Sequence, residues 1–251
     1  MAQYVFGTGQ LYATPPGGGT PLRFGALQDV GVDFSADTKQ LFGQYQFPLD
    51  VARGKTKIEW QASSGQIDVE SFNQIYFGQQ VTSGQKIQVF NEAGAIPDDP
   101  GPYTVVAANG ASFFMDLGVY FQDTGLPLVQ VASSPTAGQY TIDPSTGTYT
   151  FAAGDAGKDV FLNYLYTGNT GNTLEINQAL MGTTPKFQLV LSQTYNGKAF
   201  TLVLYSCVSE KLGLPLKQDD YLIAEMGGQA QANDAGQIGF ITSAAQGGAG
   251  G

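Results

Sequence analysis

Phe24-Gly-Ala-Leu-Gln-Asp-Val-Gly-Val-Asp-Phe-Ser35 and, further along, Lys55-Thr-Lys-Ile-Glu-Trp-Gln-Ala62 decide how this chain folds. In the first stretch Phe24, Ala26, Val30, Val32 and Phe34 share one parity, and Asp29, Asp33 and Ser35 share the other. In the second, Thr56, Ile58, Trp60 and Ala62 oppose Lys55, Lys57, Glu59 and Gln61. Successive side chains of a strand point to opposite faces, so a period of two marks strands half buried against a core. The outer face of the first is acidic, and that of the second is mixed in sign. Between them Ala36 to Gly54 reads as a loop far longer than the two to five residues of a hairpin turn. Leu41, Phe42, Tyr45, Phe47 and Leu49 crowd into this loop and Arg53 lies near its end. A monomer has trouble hiding so many bulky apolar groups between surface turns. Residues Asp37 to Arg53 are therefore expected to form an assembly element.

The 251 residues suffice for one large all-β domain or two smaller units. Only 13% are charged, about half the usual share, while Gly (34), Tyr (13) and Phe (16) are abundant, which argues against helical bundles and coiled coils. A formal charge of -10 has the wrong sign for neutralising phosphates, so specific nucleic-acid binding is excluded. No run approaches the roughly 18 apolar residues of a membrane span, and no membrane partner is expected. Met1 to Gly9 carries neither a basic n-region nor a long apolar h-region, so synthesis in the cytoplasm without export is expected.

The chain has no histidine and one cysteine, Cys207. That removes Ser-His-Asp, Cys-His and His-zinc chemistry and any intramolecular disulfide. Asp98-Asp99, Asp219-Asp220 and Asp155 to Asp159 lack the ligand spacing of a calcium loop and read as solvated turn acids. Gly7-Thr8-Gly9 and Gly17 to Gly19 lack the strand-to-helix setting of a phosphate loop. No enzyme activity, cofactor or metal is expected. Cys207, in an apolar strand-like run, and Trp60, on the apolar parity of its strand, read as core residues.

Elsewhere, residues 1 to 14 read as a short strand, followed by a Pro/Gly loop from Pro15 to Pro21. Gln66 to Gly78 reads as one helix, with Ile67, Phe72, Ile75 and Tyr76 on one face and Gly78 as its C-cap. Residues 86 to 167 alternate between strands and turns, with their strongest signal in the hairpin around Asp143-Pro-Ser-Thr-Gly147. Strands are expected at 173–180, 186–194, 199–208, 221–231 and 237–242, and disorder at 247–251.

Three features carry a resemblance: the order of the strand ending Asp29 to Asp37, the long loop, Lys55 to Trp60 and the helix closing Phe72 to Gly78; the stretch Leu214-Pro-Leu-Lys-Gln-Asp-Asp-Tyr221; and Gly228 to Gly239. In these the chain resembles the major tail protein, or tail tube protein, of long-tailed bacteriophages. The resemblance implies a mainly β fold: a tail-tube-type β-sandwich with one short flanking helix, built from residues 1–85 and 168–246, and an inserted outward-facing β module at 86–167. It also implies hexameric rings of the same chain stacked into a virion tail tube, contacting terminator, tape-measure and distal tail proteins, through which DNA passes without specific binding. Six copies at -10 each would carry -60, and a negative lumen would keep DNA from sticking. Asp29 and Asp33 are candidates for the lumen face, with a solvated outer face as the alternative. A carbohydrate- or receptor-binding β module of a virion is the competing function, and a virion glycan hydrolase a third.

Overall fold

A computed structural model describes residues 3–15 and 18–244. The middle of the predicted Pro/Gly loop and the predicted disordered end at 247–251 lie outside the described residues. Strands hold 53% of the chain and helical turns 6%, which makes the fold mainly β, with several sheets and one short helix. None of the helices among the described residues is long and apolar enough to cross a membrane. The chain divides into two compact units, Met1–Val81 with Leu174–Gly251, and Thr82–Thr173.

The first unit is built on one large sheet. Its strands are β1 (Gln10–Thr14), β2 (Leu22–Phe24), β3 (Leu27–Phe42), β4 (Pro48–Ser64), β14 (Phe187–Tyr195), β15 (Lys198–Gly213), β16 (Ala224–Gln231) and β17 (Gly239–Ser243). They run in the order β2-β1-β14-β15-β16-β4-β3, with β17 also paired to β15. Trp60, Ala62, Phe187, Leu189, Leu204, Cys207 and Met226 form the core, closed by Phe72 and Ile75. Trp60 is 4% exposed; its indole N–H donates to the Val208 carbonyl at 3.3 Å, and its ring meets Phe187 edge-on at 5.6 Å. Cys207 is completely buried, and burial pushes its thiol up to about 12.

The helical segment is shorter than Gln66 to Gly78. Asp68 caps it, its carboxylate accepting from the Glu70 and Ser71 N–H groups at 3.2 Å, so α1 (Val69–Phe72) begins there and continues as a wide turn, Asn73–Phe77. Ile67 precedes the cap and is exposed, against the expectation of a helical face. Gly78 ends the segment at φ 62°, where a Cβ would come within 2.9 Å of Pro185 Cγ. The strand expected at 173–180 also contracts, to Asn172–Leu174, because Ile176, Leu180 and Met181 face solvent and find no core to pair against.

The second unit carries two larger sheets. One has the order β6 (Lys86–Ala95), β12 (Asp159–Thr167), β8 (Phe113–Phe121); the other runs β7 (Thr104–Val106), β11 (Thr148–Phe151), β10 (Gln139–Asp143), β9 (Val129–Gln130). Both contribute to one core around Val119, Tyr140, Tyr149, Phe151, Leu162 and Tyr164. The β10–β11 hairpin turns at Asp143, whose carboxylate accepts from the Ser145 N–H at 2.9 Å, and at Gly147, whose φ of 64° brings it against Gly110. Asp116 accepts from both core phenols, Tyr140 at 2.5 Å and Tyr149 at 2.9 Å. Burial first and this carboxylate second raise the pKa of Tyr140; the same two causes raise that of Tyr149. The chain enters and leaves this unit through β5 (Val81–Ser83) and β13 (Asn172–Leu174), which pair with each other.

Candidate assembly surface

The expected loop from Ala36 to Gly54 is not a loop. β3 and β4 stay paired from Leu27↔Ser64 out to Phe42↔Pro48, so only Gly43 to Phe47 turns, and the rest is a hairpin arm. The alternation fails in the sequence because the ladder contains a bulge. After Ala36↔Thr56 it skips Asp37 on one strand and Gly54 and Lys55 on the other, and resumes at Thr38↔Arg53. A two-against-one bulge bends the pair and flips the facing parity of one strand. On β4 the set facing with Trp60 and Ile58 therefore moves from even to odd numbers, so that Val51 and Arg53 share a face with Gln40 and Thr38. Gly54 sits at the bulge, where a Cβ would lie 3.4 Å from the Asp37 carbonyl oxygen.

Beyond the bulge the arm pairs only with itself among the described residues. Leu41, Phe42, Tyr45, Phe47, Leu49 and Val51 are all exposed, Phe42 at 54% and Phe47 at 81%. Gly43 leaves room for Leu49, whose Cδ1 would be 2.9 Å from any Cβ there. Arg53 stands on the stem opposite Thr38, together with Lys39, Lys55 and Lys57. Lys39 and Arg53 against Asp37 and Asp50 leave Ala36 to Gly54 neutral in a chain of -10, while Lys55 and Lys57 lie at its base. Phe34, expected in the core, is 55% exposed: β16 pairs with β4 only from Glu59 to Ser64, so no strand continues the core alongside Phe34 and Ile58.

Asp29 and Asp33 lie on the face of the sheet opposite Trp60, Val30 and Val32. There they line an open concavity of about 530 Å³ with Glu59, Glu210 and Glu225. Register explains the gathering. Asp33 is directly opposite Glu59, and Ser63 has Asp29 on one side and Glu225 on the other. Lys211 reaches Glu225 at 2.6 Å and holds its carboxyl below the usual carboxylate range, chiefly by hydrogen bonding. Like charges directly opposed across a ladder are destabilising, so a carboxylate face that keeps the pair Asp33–Glu59 departs from what stability alone favours. Glu210 and Glu225 carry no local sequence signal. They join Asp29 and Asp33 only because β15 and β16 pair beside β4. Among the described residues no three of His, Cys, Asp and Glu cluster closely enough to hold a metal ion. No protein-family model matches the chain, and no curated protein matches its sequence.

Proposed function

We propose that this chain is a self-assembling structural protein of the tail-tube type: a virion component whose copies close into hexameric rings and stack into a conduit for a genome. The observation that carries the reading is the hairpin arm, whose apolar tip has no cover within its own subunit. Exposed apolar groups grouped at one place mark an interaction surface, and catalysis gives no reason for them. Two further features support association and passage of DNA. The 16 residues of β3 pair only with β4 among the described residues, which leaves a long strand edge available to another chain. The carboxylate face would repel a polyanion if turned to a lumen. In this reading the first unit is the β-sandwich of the tube wall, Thr82–Thr173 is an outward module, the partners are further copies and the other tail proteins, and no reaction is catalysed.

Electron microscopy of the purified protein tests the reading directly. Annular rings or hollow tubes are the expected result. A protein that sediments as a monomer at all concentrations, with no such particles, overturns it.

A further inference from the structure

Asn109-Gly110 and Asn196-Gly197 are the two Asn-Gly pairs of the chain. In such a pair the glycine backbone nitrogen is free of a side chain and can attack Cγ of the asparagine. A bond forms from that nitrogen to Cγ, the bond from Cγ to the side-chain nitrogen breaks, and ammonia leaves with the proton given up by the glycine N–H. Water then opens the five-membered succinimide at either carbonyl, leaving aspartate or isoaspartate. Water is the only co-reactant. The reaction needs an unbonded glycine N–H, a carboxamide free to turn, and solvent around both.

The two pairs sit in opposite surroundings. At the first, the Gly110 N–H donates to the Ala107 carbonyl at 2.9 Å, and the Asn109 carboxamide and backbone N–H both donate to the Tyr164 phenol oxygen at 3.2 Å. Gly110 is buried, and even a Cβ there would lie 2.3 Å from the Thr146 carbonyl oxygen, so nothing can swing. At the second, Asn196 and Gly197 are the whole turn between β14 and β15, just past the last ladder pair, Tyr195↔Lys198. Their φ angles of 49° and 71° are those of a type I′ hairpin turn. Both residues are exposed. Neither the Asn196 carboxamide nor the Gly197 N–H has a hydrogen-bond partner among the described residues, and a Cβ on Gly197 would meet nothing within 4 Å. We propose that Asn196 is a site of spontaneous modification, converting to aspartate and isoaspartate while Asn109 stays an amide. Each conversion adds one negative charge beside Lys198 and takes the chain from -10 to -11. The isoaspartyl form also adds a backbone carbon to a two-residue turn whose length sets the register of the pair. That end of the hairpin holds the N-terminal segment, since the Gln193 carboxamide donates to the Phe6 carbonyl and the Phe6 ring lies 5.9 Å from that of Tyr195.

Peptide mapping tests it. The purified protein is held in warm, mildly alkaline buffer and sampled at intervals by mass spectrometry, once folded and once unfolded in urea. From the folded protein, the tryptic peptide Phe187 to Lys198 should resolve into the amide and two acids. The acids should form at least about tenfold faster than any acid at Asn109, because the hydrogen bonds at Asn109 and Gly110 must break before that pair can cyclise. In urea, which removes those bonds, the rates at the two sites should converge. A folded protein in which the Phe187 to Lys198 peptide stays an amide, or in which Asn109 converts as fast as Asn196, overturns the proposal. So does a rate difference that persists unchanged in urea, since the fold would then not be its cause.

Discussion

Phe42→Asp combined with Phe47→Asp converts the tip of the arm from apolar to charged without touching either core. An aromatic residue offers on the order of 200 Å². At 54% and 81% exposure the two rings present about 110 and about 160 Å², which at about 25 cal/mol/Å² would contribute up to about 7 kcal/mol per docked arm if wholly covered. Half that coverage still leaves about 3 kcal/mol, more than a hundredfold in an association constant, before the cost of burying two unpaired carboxylates. The isolated subunit should barely respond, since surface substitutions of this kind stay within about 0.5 kcal/mol and strand propensity adds no more than about 1 kcal/mol. Circular dichroism and the fluorescence of the sole tryptophan, Trp60, report the fold; light scattering reports assembly. A native spectrum with assembly shifted beyond reach is the expected outcome. Loss of the native spectrum would mean that the arm stabilises its own subunit, and unchanged assembly would mean that the tip is idle surface; either result refutes the reasoning.

Asp29→Lys with Asp33→Lys should leave polymers intact and increase their retention of DNA at low salt, measured by co-sedimentation; unchanged retention removes these residues from a lumen. Replacing Thr82–Thr173 by a short Gly/Ser bridge should preserve assembly seen by microscopy, because the strands leading into and out of that unit are bonded to each other. A folded deletion variant that never assembles would show the module to be part of the wall. The unit around Tyr140 and Tyr149 should weaken in alkali. Its folded phenols stay protonated where unfolded ones ionise, so its stability is complete below about pH 10 and falls above it by about 1.4 kcal/mol per pH unit for each phenol. Urea titrations at rising pH check this, and a flat profile contradicts it. Trp60→Ala should cost about 3 to 5 kcal/mol in the first unit, read by circular dichroism in urea; a loss below about 1 kcal/mol would mean that the ring is not a core anchor.

The mainly β character, the burial of Trp60 and Cys207 and the turn at Asp143–Gly147 were legible in the sequence because each rests on local chemistry: a two-residue period, an apolar neighbourhood, a side chain capping its own turn. Asp29 and Asp33 could likewise be assigned to the face away from Val30 and Val32 by parity alone. The arm was not legible as a hairpin, since the bulge at Asp37 and Gly54 shifts the phase of alternation on one strand, and a period that changes phase reads as no period. Nor could the sequence bring Glu210 and Glu225 beside Asp29 and Asp33, or set Leu202, Phe240 and Ile241 across a gap from Phe34 and Ile58. Those groupings depend on β16 pairing with β4, between residues 160 to 170 positions apart, while β17 pairs with β15. Pairing of that kind is decided by the packing of the whole sheet around Trp60, Phe187 and Met226, and no short window of residues contains it.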